Sequence, residues 1–192
     1  MNGAAHFSIL VVCTCNVCRS PAAERLLRQR LGTTVTVESA GTFGLLREPI
    51  AAPMAELLIE SGVNIDGFAA RRLSPGLIQE ADLVLALTRA HRSLVAEAWP
   101  KAVRRTFTLR EFARLLSCID MAALPAGTPA DRLRAAIPLA GAQRGRWRVP
   151  SSEDDVVDPY RQPRPVYEAS LAQILPAVEA IAEVALSETG TD

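Results

Sequence analysis

The sequence predicts an α/β fold, a single-domain open parallel four-stranded sheet with helices on both faces. Three observations carry that expectation. Short apolar runs rich in β-branched residues recur along the chain, stretches of helical periodicity follow them, and the loop after the first run is polar and cysteine-rich. The length of 192 residues suits one domain of roughly 150 residues with an appendage.

The first strand is expected at residues 7–12, a nearly continuous apolar run of the kind found in parallel strands buried on both faces. Ser20 and Pro21 then read as an N-cap and first helical position. Ala23, Leu27 and Leu31 share one face beyond them, while Glu24, Arg25 and Arg28 point elsewhere. Residues 35–39 alternate as a second strand closed by Ala40 and Gly41. Ile50, Met54, Leu57, Leu58 and Ser61 keep helical spacing up to Gly62. A buried strand is expected at 83–87, a helix from there to Trp99, a fourth strand at 103–108 and a helix at 109–116. Tyr167, Leu171, Ile174, Val178, Ile181 and Ala185 form one helical stripe, interrupted by Pro176, which should kink it.

Residues 118–152 break this rhythm and read as an insertion within a domain spanning 1–192, with one helix near 129–137. Between Pro129 and Ser152 five arginines stand against Asp131 alone, and Glu153, Asp154 and Asp155 follow. The expected behaviour is a mobile, solvated lobe whose charges satisfy each other, with Asp154 and Asp155 in solvent.

Composition excludes several classes. With 49% hydrophobic and 22% charged residues the chain is too apolar to be disordered. Its 21 basic and 21 acidic residues cancel, so it lacks the basic excess of a nucleic-acid binder. No run approaches the ~20 apolar residues of a membrane span, and no basic residue precedes Arg19 as a signal peptide requires. The chain is read as cytoplasmic, with neither nucleic acid nor membrane as partner; its oligomeric state is open.

Three of the four cysteines, Cys13, Cys15 and Cys18, fall within six residues. In a reducing compartment such clustering points to thiol or metal chemistry. Cys13 and Arg19 form a C-x5-R spacing between a strand and a helix. Backbone N–H groups turned inward there, with the positive end of the following helix, make a cradle for a phosphate-sized dianion. Arg19 can close it with a bidentate fork. The same field favours a thiolate at Cys13, a nucleophile aimed at a bound phosphorus. Cys15 and Cys18 also have a metal-knuckle spacing, but no second close pair exists, and the loop runs directly from strand into helix.

The segment Cys13-Thr14-Cys15-Asn16-Val17-Cys18-Arg19-Ser20-Pro21 resembles the low-molecular-weight protein tyrosine phosphatases. Glu38 to Thr42 resembles the family's second loop, and Asp158-Pro159-Tyr160 its general-acid loop. The resemblance covers about residues 7–116 and 156–186. It implies that Cys13 attacks phosphorus to form a phosphocysteine, that Arg19 and the amides of residues 14–18 hold the phosphoryl oxygens, and that Asp158 is general acid and then base. It further implies that Asn16 and Ser39 brace the loop, that Ser20 tunes the thiolate, and that Tyr160 walls the cleft. Phe43, Leu45 and Leu46 are candidates for the opposite wall. It calls for neither cofactor nor metal, and implies a phosphotyrosine-containing protein as partner, a bacterial tyrosine kinase being one such.

Two positions depart from the family. Cys15 replaces the usual glycine, and if that position needs positive φ the cradle carries ~1–2 kcal/mol of strain. Arg161 follows Tyr160 in place of a second aromatic. Two other readings remain at this level: an arsenate reductase of the same fold, which lacks its resolving cysteine pair because no cysteine lies between Cys18 and Cys118, and a non-catalytic phosphate-binding module, should Cys15 distort the loop. Cys118 reads as a small hydrophobe, and His91 as an exposed helix residue without a catalytic role.

Overall fold

The computed structural model describes residues 6–187. Four strands, β1 (Ser8–Cys13), β2 (Thr36–Gly41), β3 (Leu83–Ala86) and β4 (Thr106–Thr108), form one sheet in the order β2-β1-β3-β4, parallel throughout. The helices are α1 (Arg19–Leu31), α2 (Ala52–Glu60), α3 (Pro75–Glu80), α4 (Arg89–Ala98), α5 (Leu109–Leu116), α6 (Pro129–Gln143), α7 (Ser151–Asp154) and α8 (Arg164–Leu186).

Alternation along the strands divides the core between the two faces. Ile9, Val11, Val37, Leu83, Leu85 and Phe107 join one buried cluster with α1, α5, α6 and α8. Leu10, Val12, Ala40 and Val84 join a second with Ile78 of α3 and Val95 of α4. Successive side chains of a strand point to opposite faces, so a sheet covered on both sides needs apolar residues at every position. This is why β1 is buried almost end to end.

β1 lies between β2 and β3, so the chain leaves it toward β2 and later returns on its other side. In open α/β sheets the crevice at such a reversal, outside the carboxyl ends of the strands, is where ligands bind. The loop from Cys13 to α1 emerges there.

Several expectations are corrected. Only residues 106–108 pair as the fourth strand, because Pro100–Arg105 form a 3₁₀ segment. Helix α3 was not expected at all. By length and composition α8 is apolar enough to cross a membrane, contrary to the sequence reading, but half of that window is buried inside the fold. It runs unbroken through Pro176.

The insertion is docked rather than a solvated lobe. Helix α6 extends to Gln143 and buries Ala130, Leu133, Ala136 and Ala140 against the main core, in contact with α5 and α8. Buried Arg132 donates through Nε to the carbonyl of Val184 at 2.8 Å, near the end of α8. Asp154 is also buried: its carboxylate accepts from Arg89 at 2.5 Å and Arg114 at 2.7 Å. Asp154 therefore neutralises Arg89 and Arg114 and none of the arginines between residues 129 and 152.

Candidate active site

The loop after β1 takes its shape from where its carbonyls go. Those of Cys13, Thr14, Cys15 and Val17 accept from the amides of Thr42, Phe43, Leu45 and Ala51, at 2.9, 2.9, 3.0 and 2.8 Å. All four donors lie in the second loop and the segment leading to α2. In a planar trans peptide the next N–H points opposite to the C=O. The amides of Thr14, Cys15, Asn16 and Cys18 are therefore turned away from the second loop, toward the concave side. The amide of Asn16 reaches the Sγ of Cys13 at 3.3 Å, which places the sulfur inside that concavity.

Close approach of the two loops depends on Gly41, where a Cβ would stand 2.4 Å from the carbonyl oxygen of Thr14 and 2.8 Å from the Cα of Gly44. The tight bend itself needs one residue at positive φ, and that residue is Asn16, at 58°. Asparagine tolerates this conformation better than most L-residues. The conditional expectation of strain at Cys15 is thereby removed, since Cys15 is not among the positive-φ residues.

Asn16 is buried and uses its whole side chain. Its Nδ2 donates to Ser20 Oγ at 2.9 Å and to Ser39 Oγ at 2.8 Å, while its Oδ1 accepts from the amide of Arg71 at 2.9 Å. Ser39 donates onward to Glu24 at 2.5 Å. Ser20 Oγ, which accepts from Asn16, stands 2.9 Å from Cys13 Sγ, within reach to donate its proton to a thiolate there. The geometry expected of Asn16, Ser39 and Ser20 is thus present. Glu24, expected to point away from the core, is instead the buried end of this chain of bonds.

Arg19, at the first turn of α1, is buried and ties the loop to a distant segment. Its Nη2 donates to Asp158 Oδ2 at 2.7 Å, and its Nη1 to the carbonyl of Val156 at 3.3 Å. Asp158 is half exposed and also accepts from the amide of Tyr160 at 3.1 Å. Asp158 is thus bonded to an arginine 139 positions earlier, at the end of the loop that begins with Cys13. The segment before Asp158 is held by the Val156 amide on the Leu87 carbonyl at 2.9 Å and by Asp155, which accepts from the Arg89 amide at 2.7 Å. Asp155 is thus bound and not free in solvent.

His91 contradicts its expected exposure. It is buried, with Nε2 2.8 Å from the Thr14 hydroxyl and Nδ1 2.8 Å from the Thr88 hydroxyl. Burial, and then the positive charge of Arg19, push its pKa down to about 4, so the ring is neutral at ordinary pH. No sequence signal distinguished it, because its α4 face is defined only by the loop that packs there. The Cys18 thiol is pushed up to about 12, by burial first and then by Cys13. The Cys15 thiol is raised for the same two reasons. Both of these cysteines are thus held as thiols at ordinary pH. Cys118 ends up past α5, its sulfur 3.4 Å from the Arg114 carbonyl and apart from the loop.

Beside the loop a cleft of about 600 Å³ is lined by Val17, Leu45, Leu46, Glu48, Ile50 and Tyr160, with Arg161 at the same rim. Tyr160, Leu45 and Leu46 all line this cleft; Phe43 lies in solvent and is not among its lining residues.

The pattern of the Low molecular weight phosphotyrosine protein phosphatase family matches residues 8–120. The chain belongs to this family. The low molecular weight protein-tyrosine-phosphatase Etp of Escherichia coli K12 is 43% identical over 99 residues, which cover 52% of this chain and 66% of that relative, just under two thirds of its length. Among solved structures, the YwlE arginine phosphatase from Geobacillus stearothermophilus matches with a TM-score of 0.68 and 28% identity, covering 92% of this chain and 91% of that one. Vibrio vulnificus Wzb in complex with benzylphosphonate matches at 0.67 and 25% identity, covering 92% and 97%. The family match stops at residue 120.

Proposed function

We propose that this family member is a protein tyrosine phosphatase that hydrolyses aryl phosphate monoesters through a phosphocysteine. The reading rests on one observation: the Asn16 amide points at the Cys13 sulfur from a loop whose carbonyls face the other way, while Arg19 at the end of that loop donates to Asp158. A phosphate in the cradle meets N–H donors on its equatorial oxygens and competes with Asp158 for Arg19. Charge on those oxygens is stabilised by donors already in place.

In the first step Cys13 Sγ forms a bond to phosphorus as the bond from phosphorus to the aryl oxygen breaks, and Asp158 gives its proton to the departing phenolate oxygen. In the second, Asp158 takes a proton from water, whose oxygen attacks phosphorus and frees the thiolate. Ser20 donates to that thiolate in both states. Thr14, Cys15, Val17 and Cys18 contribute backbone.

The apolar side chains of Val17, Leu45, Leu46 and Ile50, with the Tyr160 ring, favour a flat aromatic leaving group. The binding of benzylphosphonate by the Vibrio vulnificus neighbour supports this choice. Phosphoarginine is the second reading, because the arginine phosphatase covers nearly the whole chain and Glu48 lines the cleft. A guanidinium would find one carboxylate there against eight apolar or aromatic residues and the Arg161 cation, so phosphotyrosine is preferred. The natural substrate is then a phosphotyrosine-bearing protein such as a bacterial tyrosine kinase, met in the cytoplasm.

The deciding experiment measures turnover of a phosphotyrosine peptide and of phosphoarginine side by side, with and without EDTA, in the wild type and Cys13→Ser. Expected are faster release from phosphotyrosine, indifference to chelator, and loss of turnover with retained phosphate binding in the variant. Turnover surviving in Cys13→Ser would remove the phosphocysteine; a preference for phosphoarginine would overturn the substrate. Thioredoxin-dependent arsenate reduction would favour the reductase.

A further inference from the structure

Two stretches of the chain carry cations and no carboxylate. Residues 98–110 hold Lys101, Arg104, Arg105 and Arg110, and residues 132–152 hold Arg132, Arg134, Arg144, Arg146 and Arg148. The fold lays one against the other, with Arg144 as the seam. Its Nη1 donates to the Val103 carbonyl at 3.4 Å and its Nη2 to that of Thr106, while the guanidinium lies 3.8 Å from the centre of the Phe107 ring. Beside this seam a cavity of about 480 Å³ has Ile137 and Pro138 among its walls and Lys101, Arg104, Arg105 and Arg144 around them. Val103 and Trp147, on the same two stretches, are 47% and 54% exposed.

Arg144 is neutralised by Glu111 at 3.1 Å. Lys101, Arg104, Arg105, Arg146 and Arg148 make no ion pair among the described residues. A chain of zero net charge thus gathers five unpaired cations on two adjoining segments, interleaved with exposed apolar side chains.

We propose that the face made by the 3₁₀ segment Pro100–Arg105 and the end of the insertion docks onto an anionic membrane surface. The charge is complementary to anionic headgroups, and long cationic side chains keep their heads in that layer while their stems cover apolar surface. An indole such as Trp147 is at home at the same depth. Exposed Val103 and the walls formed by Ile137 and Pro138 favour lipid over a polynucleotide or an acidic peptide, since these give the apolar surface nothing to bury. Pro100–Arg105 precedes β4, whereas the phosphate loop follows β1. In a parallel sheet these are opposite ends, so the 3₁₀ segment itself lies away from the phosphate loop. This proposal is independent of the chemistry assigned to Cys13.

The test sediments the full chain with vesicles of phosphatidylcholine alone and of phosphatidylcholine with phosphatidylserine. Binding is expected only to the anionic vesicles and is expected to fall with added salt. Each exposed cation near the surface contributes about fivefold, so Arg104→Ala with Arg146→Ala should weaken binding about 25-fold, and Trp147→Ala should weaken it further. Both arginines are exposed, so turnover of soluble p-nitrophenyl phosphate should be unchanged and reports that the variant is folded. Equal or no binding to the two vesicles, indifference to the double variant, or capture by RNA or polyglutamate while vesicles are ignored would overturn the proposal.

Discussion

Replacing Asp154 by Asn should slow catalysis only where the leaving group needs a proton. The Asp154 carboxylate receives Arg89 through Nε at 2.8 Å and Nη2 at 2.5 Å, and Arg114 through Nη2 at 2.7 Å. It stands four residues before Asp158, on the segment that Asp155 and Val156 pin to the end of β3. Removing one member of a buried ion pair costs about 3–5 kcal/mol. Here Arg89 and Arg114 keep 35% and 25% of their side-chain surface and can rehydrate, so about 2 kcal/mol is the better expectation. The fold survives that loss; the anchoring of the acid segment is what weakens. Loss of a general acid costs about 10²–10⁴-fold, and a loosened one a fraction of that, so phenyl phosphate turnover should fall about 10-fold. Dinitrophenyl phosphate, whose leaving group departs as a stable anion, should fall less than about twofold by the same argument. The kcat/KM on the two substrates, which reports departure of the leaving group and not the phosphocysteine hydrolysis that both share, decides the matter together with a melting curve. Equal slowing of both, or of neither, refutes the claim that Asp154 acts by placing Asp158.

Three further outcomes follow from the same geometry. His91 has its folded pKa lowered from 6.5 to about 4 by burial, then Arg19, with Asp158 opposing, so the unfolded chain binds more protons between these values. Stability therefore rises with pH across that window and is lost as pH falls toward 4, by about 3 kcal/mol at most; melting temperatures of His91→Asn should show a flatter acid limb than the wild type. Gly41→Ala forces a methyl to 2.4 Å from the Thr14 oxygen, which should cost about 1–3 kcal/mol and most of the activity, as a denaturant curve paired with an activity assay would report. Asp158→Ala should lower phenyl phosphate turnover at least about 100-fold, and unchanged kcat would remove Asp158 from the mechanism.

Much of this protein was legible in its residues because the relevant signals are local. The buried run of β1, the Ser20–Pro21 helix start and the Cys13 to Arg19 spacing all act within a few residues, where steric and hydrogen-bond rules suffice. Asp158 was legible by resemblance, through the Asp-Pro-Tyr triplet.

Tertiary structure alone decided what depends on which surfaces meet. The burial of Asp154, Glu24 and His91 comes from partners 15 to 77 residues away, and a polar residue gives no local sign of whether such partners will arrive. The insertion shows the same limit. Its prolines, glycines and arginines read as loop, yet Arg132 and Arg144 find carbonyls and an aromatic face on the main domain, and α6 becomes part of the core. Short-range chemistry specified the loop between β1 and α1; only the packing of distant segments determined which buried charges hold Asp158 beside Arg19.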